Sequence, residues 1–313
     1  MNHWRMGLPA AAVALLVGAG AKSRWVSDID TRRDTAELSS EPGPLLPGIG
    51  TTALSGRDPS APPQLEVVHP LAALDDQQIG ELALRDPTAL GSMSVGLPNR
   101  GALINAVEFP DSPIWKRADP NHAWGTRESV QFVEYAITVV NREFENTPLL
   151  YVGDFSARSG GRLNPHKSHQ SGRDVDIGYY YKHQSVWYQR ADARNLDRAR
   201  TWTILKALLT HTPVEYVFMD KSIQPLLREY ALAQGEDPEW LSRVFGGTSK
   251  AGDPIVRHRF GHATHFHVRF ENPTAEVTAR RLEQAGMLPG HRRRVQHPAH
   301  PKPVEVPQST SDE

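Results

Sequence analysis

Apolar positions along this chain follow two different periods, and the change from one to the other marks out its elements. Val130, Val133, Ile137, Val140 and Phe144 recur at three- and four-residue spacing, which predicts a helix opened by Thr126 as its cap and closed before Pro148. Leu149-Leu150-Tyr151-Val152 then reads as a buried strand running into Gly153-Asp154. In Asp174-Val175-Asp176-Ile177, and again from His265 to Phe270, the period is two, so polar side chains share one strand face and apolar ones the other.

Other elements follow from turn and cap chemistry. Ser94 to Phe109 reads as a hairpin turning at Pro98-Asn99-Arg100-Gly101. Leu196 to His211 is a helix with Trp202, Leu205 and Leu209 on its inner side, and Val214 to Met219 is a strand. Ser222 is expected to cap a helix that Gly235 closes after Gln234, and Asp237-Pro238 to start a short one. A loop from Gly246 to Gly261 leads to His262, and a last helix runs from Pro273, capped by Asn272, to Gly286. Together these predict an α+β fold: a small, mostly antiparallel sheet of the strands around Leu150, Val175, Phe218 and Phe266, flanked by helices.

The flanks lack such periodicity. Residues 1–21 have a mildly positive start, an apolar run from Ala10 to Val17 and a small-residue Ala19-Gly20-Ala21 end, the pattern of a signal peptide. That run is too short to span a bilayer stably. Residues 22–90 are a linker rich in Pro and Gly, with a possible short helix from Leu71 to Leu84 ended by Asp86-Pro87. The folded domain is expected over 91–288, followed by a basic Pro/His-rich tail over 289–313 that has nothing apolar to hold it folded. A net charge of −1 offers no field for nucleic acid or acidic membranes. With no cysteine in an exported chain, stability rests on packing and metal rather than on disulfides.

The chemistry gathers in two segments, His166-Lys-Ser-His169-Gln-Ser-Gly-Arg-Asp174-Val-Asp176 and His262-Ala-Thr-His265-Phe-His267, which hold five of the fourteen histidines. Ser171-Gly172 supplies a turn that lets His169 fold back toward Asp176. Two imidazoles and a carboxylate converging from two strands make a three-ligand set with a fourth position left for water, and imidazole favours zinc over magnesium or calcium. There is no His-Glu-x-x-His helix and no Gly-x-Ser-x-Gly elbow, so the thermolysin-like and serine-hydrolase routes do not apply. Arg158 and Arg162, in the loop feeding the metal segment, are candidates for engaging a substrate carboxylate.

The run Gly160-Gly161-Arg162-Leu163-Asn164-Pro165-His166-x-Ser168-His169-Gln170-Ser171-Gly172-x-Asp174-Val175-Asp176-Ile177, followed by His262-x-x-His265-x-His267-Val268-Arg269, resembles the penicillin-insensitive murein endopeptidases. These belong with lysostaphin, the D-Ala-D-Ala metallopeptidases and the hedgehog signalling domain, and the likeness runs from about Gly91 to Phe270. It implies a fold of that group and a periplasmic zinc enzyme that cuts D-amino-acid cross-links of peptidoglycan, such as D-Ala to meso-diaminopimelate. It makes His169, Asp176 and His267 zinc ligands and His265 the catalytic histidine, with His166 and His262 at or near the metal. One zinc per chain is expected. A peripheral second metal site finds no match, since Asp192 and Asp197 are present but His183 comes too early. The same layout is open to a D,D-carboxypeptidase or dipeptidase, or to a wall-binding module that keeps the metal without catalysis.

Overall fold

In a computed structural model, residues 71, 73–247 and 253–288 are described. The signal peptide, most of the linker and the basic tail expected above lie outside them. Among the described residues, no helix is long and apolar enough to cross a membrane.

The described chain has six α-helices and ten strands in an α+β arrangement. Its short entry helix α1 (Asp76–Arg85) carries a capping box: Asp75 and Gln78 exchange side-chain-to-backbone hydrogen bonds of 2.8 and 2.9 Å. The hairpin of β1 (Met93–Leu97) and β2 (Arg100–Ile104) turns on Pro98-Asn99 alone. It ends earlier than expected because Asn105 takes a left-handed φ of 50°. Beyond Asn105, β3 (Val107–Glu108) pairs instead with β5 (Trp124–Gly125).

The main sheet has six strands. At its centre β6 (Leu150–Val152), β7 (Asp174–Gly178), β10 (His265–Phe270) and β8 (Val214–Met219) lie side by side and antiparallel, the four strands expected. The edges depart from that pattern. Both β4 (Trp115–Arg117) beside β6 and β9 (Val256–His258) beside β8 are parallel additions.

One face of the sheet is covered by α2 (Arg127–Glu143) and α3 (Arg198–His211), whose Val133, Ile137, Val140, Ile204 and Leu205 meet Val175, Ile177, Phe266, Val268 and Phe270 in a fully buried core. Thr126 and Asp197 cap these two helices through their side chains. Next to α3, α4 (Gln224–Ala233) and α5 (Pro238–Phe245) complete the helical layer. Ser222 does not cap α4: its hydroxyl donates to Asp220, 2.7 Å away, whose carboxylate shapes the turn before the helix.

The final helix, α6 (Pro273–Gln284), is not capped by Asn272 either. The Asn272 amide donates to Thr126 Oγ1 at 2.6 Å, and the first-turn N–H groups of Thr274 and Ala275 donate to the buried Glu128 of α2 at 3.2 and 3.0 Å. A carboxylate from a distant helix thus meets the positive end of α6. Glu128→Ala should cost about 1–3 kcal/mol, the penalty for leaving buried donors unpaired, read as a lower urea midpoint. An unchanged midpoint would mean that water replaces the carboxylate without loss.

A second, smaller core joins α1 to α6. Leu71, Ile79, Ala83, Leu90, Met93, Val95, Ala279, Leu282 and Leu288 are buried together in it. The folded body therefore reaches back before Gly91, because the apolar face of α1 is spent on packing.

Candidate metal centre

Antiparallel pairing of β7 and β10 sets His267 opposite Asp176 and Arg269 opposite Asp174, all on the face away from the helical core. Alternation carries His265 to the same face, with Phe266 and Val268 fully buried beneath. His169 arrives from the loop before β7 in a left-handed conformation, φ 64°, of the kind that clusters where a side chain must be aimed. Its backbone N–H donates to Asp174 Oδ2 at 2.9 Å, and its Nδ1 lies 2.8 Å from the Phe155 carbonyl, which turns Nε2 toward the strands. Glycine is needed behind this loop. At Gly172, φ 74°, a Cβ would lie 2.8 Å from the Leu103 side chain and 3.0 Å from the Thr126 nitrogen.

Three donor atoms converge as a result. His169 Nε2 and His267 Nδ1 are 3.0 Å apart, His267 Nδ1 and Asp176 Oδ1 are 3.0 Å apart, and His169 Nε2 and Asp176 Oδ1 are 3.5 Å apart. Nitrogen and oxygen donors about 2 Å from a tetrahedral zinc ion stand about 3.3 Å from one another, so the triangle has the size such an ion requires. His166, His169 and Asp176 form a second, looser grouping, with ligand atoms within 4.8 Å of one another. The two sets share His169 and Asp176, and the His267 set is the tighter. Asp176 is central to both: its Oδ2 lies 3.8 Å from His166 Nδ1 and 3.6 Å from His265 Nε2.

The partners behind these groups are equally specific. Asp174, fully buried, accepts from the His169 N–H, lies 3.0 Å from His267 Nε2 and accepts from Arg269 Nε at 2.7 Å. Burial opposes its charge, yet the His267 hydrogen bond and the nearby His267, His169 and Arg269 hold its carboxyl well below the usual range. Burial likewise opposes a charge on His267, but hydrogen bonds to Asp174 and Asp176 push its imidazolium up to about 9. Behind His166, Asp154 lies 2.9 Å from its Nε2 and 3.3 Å from His122, which in turn meets Asp119 at 3.3 Å. An imidazole whose far nitrogen meets a carboxylate is the usual support of a metal-ligating histidine.

His265 and His262 have another character. Burial lowers the pKa of His265, and burial with the like charges of His265 and His267 lowers His262 to about 4, so both are neutral at pH 7. Thr264 Oγ1 lies 2.9 Å from His265 Nδ1, and the rings of Trp187 and Tyr188 approach His265 at 6.0 and 5.7 Å.

Other expected residues stand apart. Arg158 is exposed with its guanidinium 5.0 Å over the Trp124 ring, and Arg162 is exposed and donates to Asn164 at 3.1 Å; no hydrogen bond or ion pair joins either to the cluster among the described residues. Asp192 is engaged by Arg194 and Asn195, Asp197 caps α3 and pairs with Arg200, and His183 is exposed. Sequence reading assigned no role to Asp174, Asp154 or His122. For the first two a signal existed, since a carboxylate on the ligand face of a histidine strand, or at the end of its neighbour, is where an imidazole finds its partner.

Comparison with known proteins points the same way as this geometry. The chain is 27% identical to a penicillin-insensitive murein endopeptidase of Pectobacterium atrosepticum over 251 residues, covering 74% of this chain and 77% of that protein. A protein of the same name from Klebsiella pneumoniae is 27% identical over 70% of this chain and 78% of its own length. One from Yersinia enterocolitica has the same identity and coverage. The family model described as penicillin-insensitive murein endopeptidase matches residues 94–296, which take in β7, β10 and every residue of the histidine cluster. That match extends over well more than half of the sequence, and the chain belongs to the penicillin-insensitive murein endopeptidase family of peptidases.

Proposed function

We propose that this protein is a zinc peptidase of the periplasm that hydrolyses D-amino-acid cross-links of peptidoglycan, at bonds such as D-Ala to meso-diaminopimelate. The observation that carries the reading is the triangle of His169 Nε2, His267 Nδ1 and Asp176 Oδ1, with edges of 3.0, 3.0 and 3.5 Å. These three residues would hold the ion, with His166 beside them. An ion held there would supply Lewis acidity for an attacking water and for the scissile carbonyl.

The chain's own residues do the rest. Asp174 and the Phe155 carbonyl fix the two imidazoles so that their donor atoms converge. His265, neutral at pH 7 and with Nε2 toward Asp176, takes the proton of the attacking water and returns it to the leaving amine nitrogen as the C–N bond breaks and the C–O bond forms. Trp187 and Tyr188 shield that exchange from bulk solvent on one side.

Digestion of purified cross-linked muropeptides, with identification of the bond cut, tests the reading. Dimers should fall to monomers, and protein purified without added metal should hold about one zinc per chain. Release of terminal D-Ala alone would make the enzyme a carboxypeptidase. Binding of muropeptides with no cleavage at full zinc occupancy would make it a wall-binding module. A reproducible two zincs, both needed for turnover, would mean that a second site had been missed.

A further inference from the structure

The sheet face that carries the histidines is bordered by two unlike banks. On the side of β7, Trp187 and Tyr188 form an aromatic bank; Tyr188 is 63% exposed although its φ of 66° is one a tyrosine rarely adopts. On the side of β8 and β9, the rings of Tyr216 and Phe218 flank His267 at 6.5 and 5.6 Å, and Phe218 also meets His262 at 5.8 Å. Guanidinium groups lie over both rings. Arg259 stands 5.7 Å from the centre of Phe218, and Arg257 and Arg269 stand 5.2 and 4.8 Å from that of Tyr216.

Arg269 is committed to Asp174. Arg257 spends its Nε on the Pro254 carbonyl at 2.9 Å, and among the described residues neither it nor Arg259 has a carboxylate partner. Stacking on an aromatic face holds a guanidinium in place while leaving the N–H groups on its edge free. Two cations anchored on one bank in this way make a local positive field that no ion pair to Arg257 or Arg259 closes among the described residues. Beside Arg259 the ring of Phe260 is 92% exposed, and its carbonyl lies 3.3 Å from His262 Nδ1, which ties this bank to the histidine cluster.

We infer that Arg259, backed by Arg257, binds a free carboxylate of the peptide substrate and sets the direction in which the peptide crosses the metal centre. The substrate class is an acidic peptide whose carboxylate lies close to the scissile bond, with its apolar portion against Phe260 and its other arm running toward Tyr188. Arg158 and Arg162, where the sequence suggested this task, have no counterpart to this placement. The inference rests on the peptidase reading above and adds to it the residue that selects the substrate.

Two synthetic cross-linked peptides, identical except that the carboxylate nearest the scissile bond is free in one and amidated in the other, test it with the full-length zinc protein. Wild type should prefer the acid by roughly 10–100-fold in kcat/KM, the worth of a charge-assisted hydrogen bond, through KM rather than kcat. Arg259→Gln should bring that ratio close to one, and Arg259→Lys should restore part of it, with zinc content equal in all three proteins. A wild type that cuts both peptides equally well, or an Arg259→Gln variant that keeps the preference, overturns the assignment and leaves the peptidase reading standing. A zinc-loaded wild type that cuts neither peptide removes both.

Discussion

His267→Ala should lose metal and activity together, whereas His265→Ala should keep its metal and slow turnover by roughly 10²–10⁴-fold, the usual contribution of a positioned acid–base group. The two residues share a strand face and stand two apart, so hydrophobic packing beneath them is the same control for both. They differ in what surrounds them. His267 Nδ1 sits 3.0 Å from two other donors and its Nε2 faces Asp174, whereas His265 comes no nearer to Asp176 than 3.6 Å and has Thr264 on its other nitrogen. Removing His267 also leaves Asp174 and Asp176 buried without the imidazolium between them, so that variant should unfold more easily. Zinc content by elemental analysis, and muropeptide cleavage rate, are the paired readouts. Loss of zinc from His265→Ala would make that residue a ligand and reverse the roles.

Asp174→Ala should be the most damaging change outside the ligand triangle. Asp174 is fully buried and holds three groups: the His169 backbone, the His267 ring and the Arg269 guanidinium. Its removal leaves Arg269, 13% exposed at its side chain, without its buried counter-charge, a loss that typically costs about 3–5 kcal/mol. It also frees the His267 ring to rotate and unties the backbone of the loop that presents His169, and loss of such a partner commonly weakens metal affinity by about 10–100-fold. Urea unfolding of the metal-free protein reads the first effect and zinc titration against a chelator the second. Zinc affinity equal to wild type in a folded Asp174→Ala protein would show that the loop and strand aim the rings unaided.

The parts of this architecture legible in the sequence are those whose cause is local. Alternation in β7 and β10 comes from residues two apart, and the apolar face of α2 from residues three and four apart, so both can be read along the chain. Caps supplied from a distance could not be read: α6 takes its cap from Glu128, 146 and 147 positions away from the N–H groups it accepts. Strand β9 is three residues between Pro254 and a run of exposed side chains, too short to show a period, and exists because the edge of β8 needed a partner. The cationic bank escaped for a similar reason. Nothing in the spacing of Arg257 and Arg259 announces that two aromatic rings from β8 will lie beneath them.

The small core between α1 and α6 has a mechanical meaning. Leu71 at the start of the described body and Leu288 at its end are buried in the same cluster, and Arg281 of α6 bonds both Asp76 and the Leu74 carbonyl. The polypeptide thus enters and leaves the body at one place. Tension applied between the two flanking segments loads that junction and peels α1 from α6, while β7 and β10, which carry the histidines, lie outside the line of force. A pull on the two flanks is therefore borne by the junction of α1 with α6, and the separate core beneath the histidine strands is not in its path.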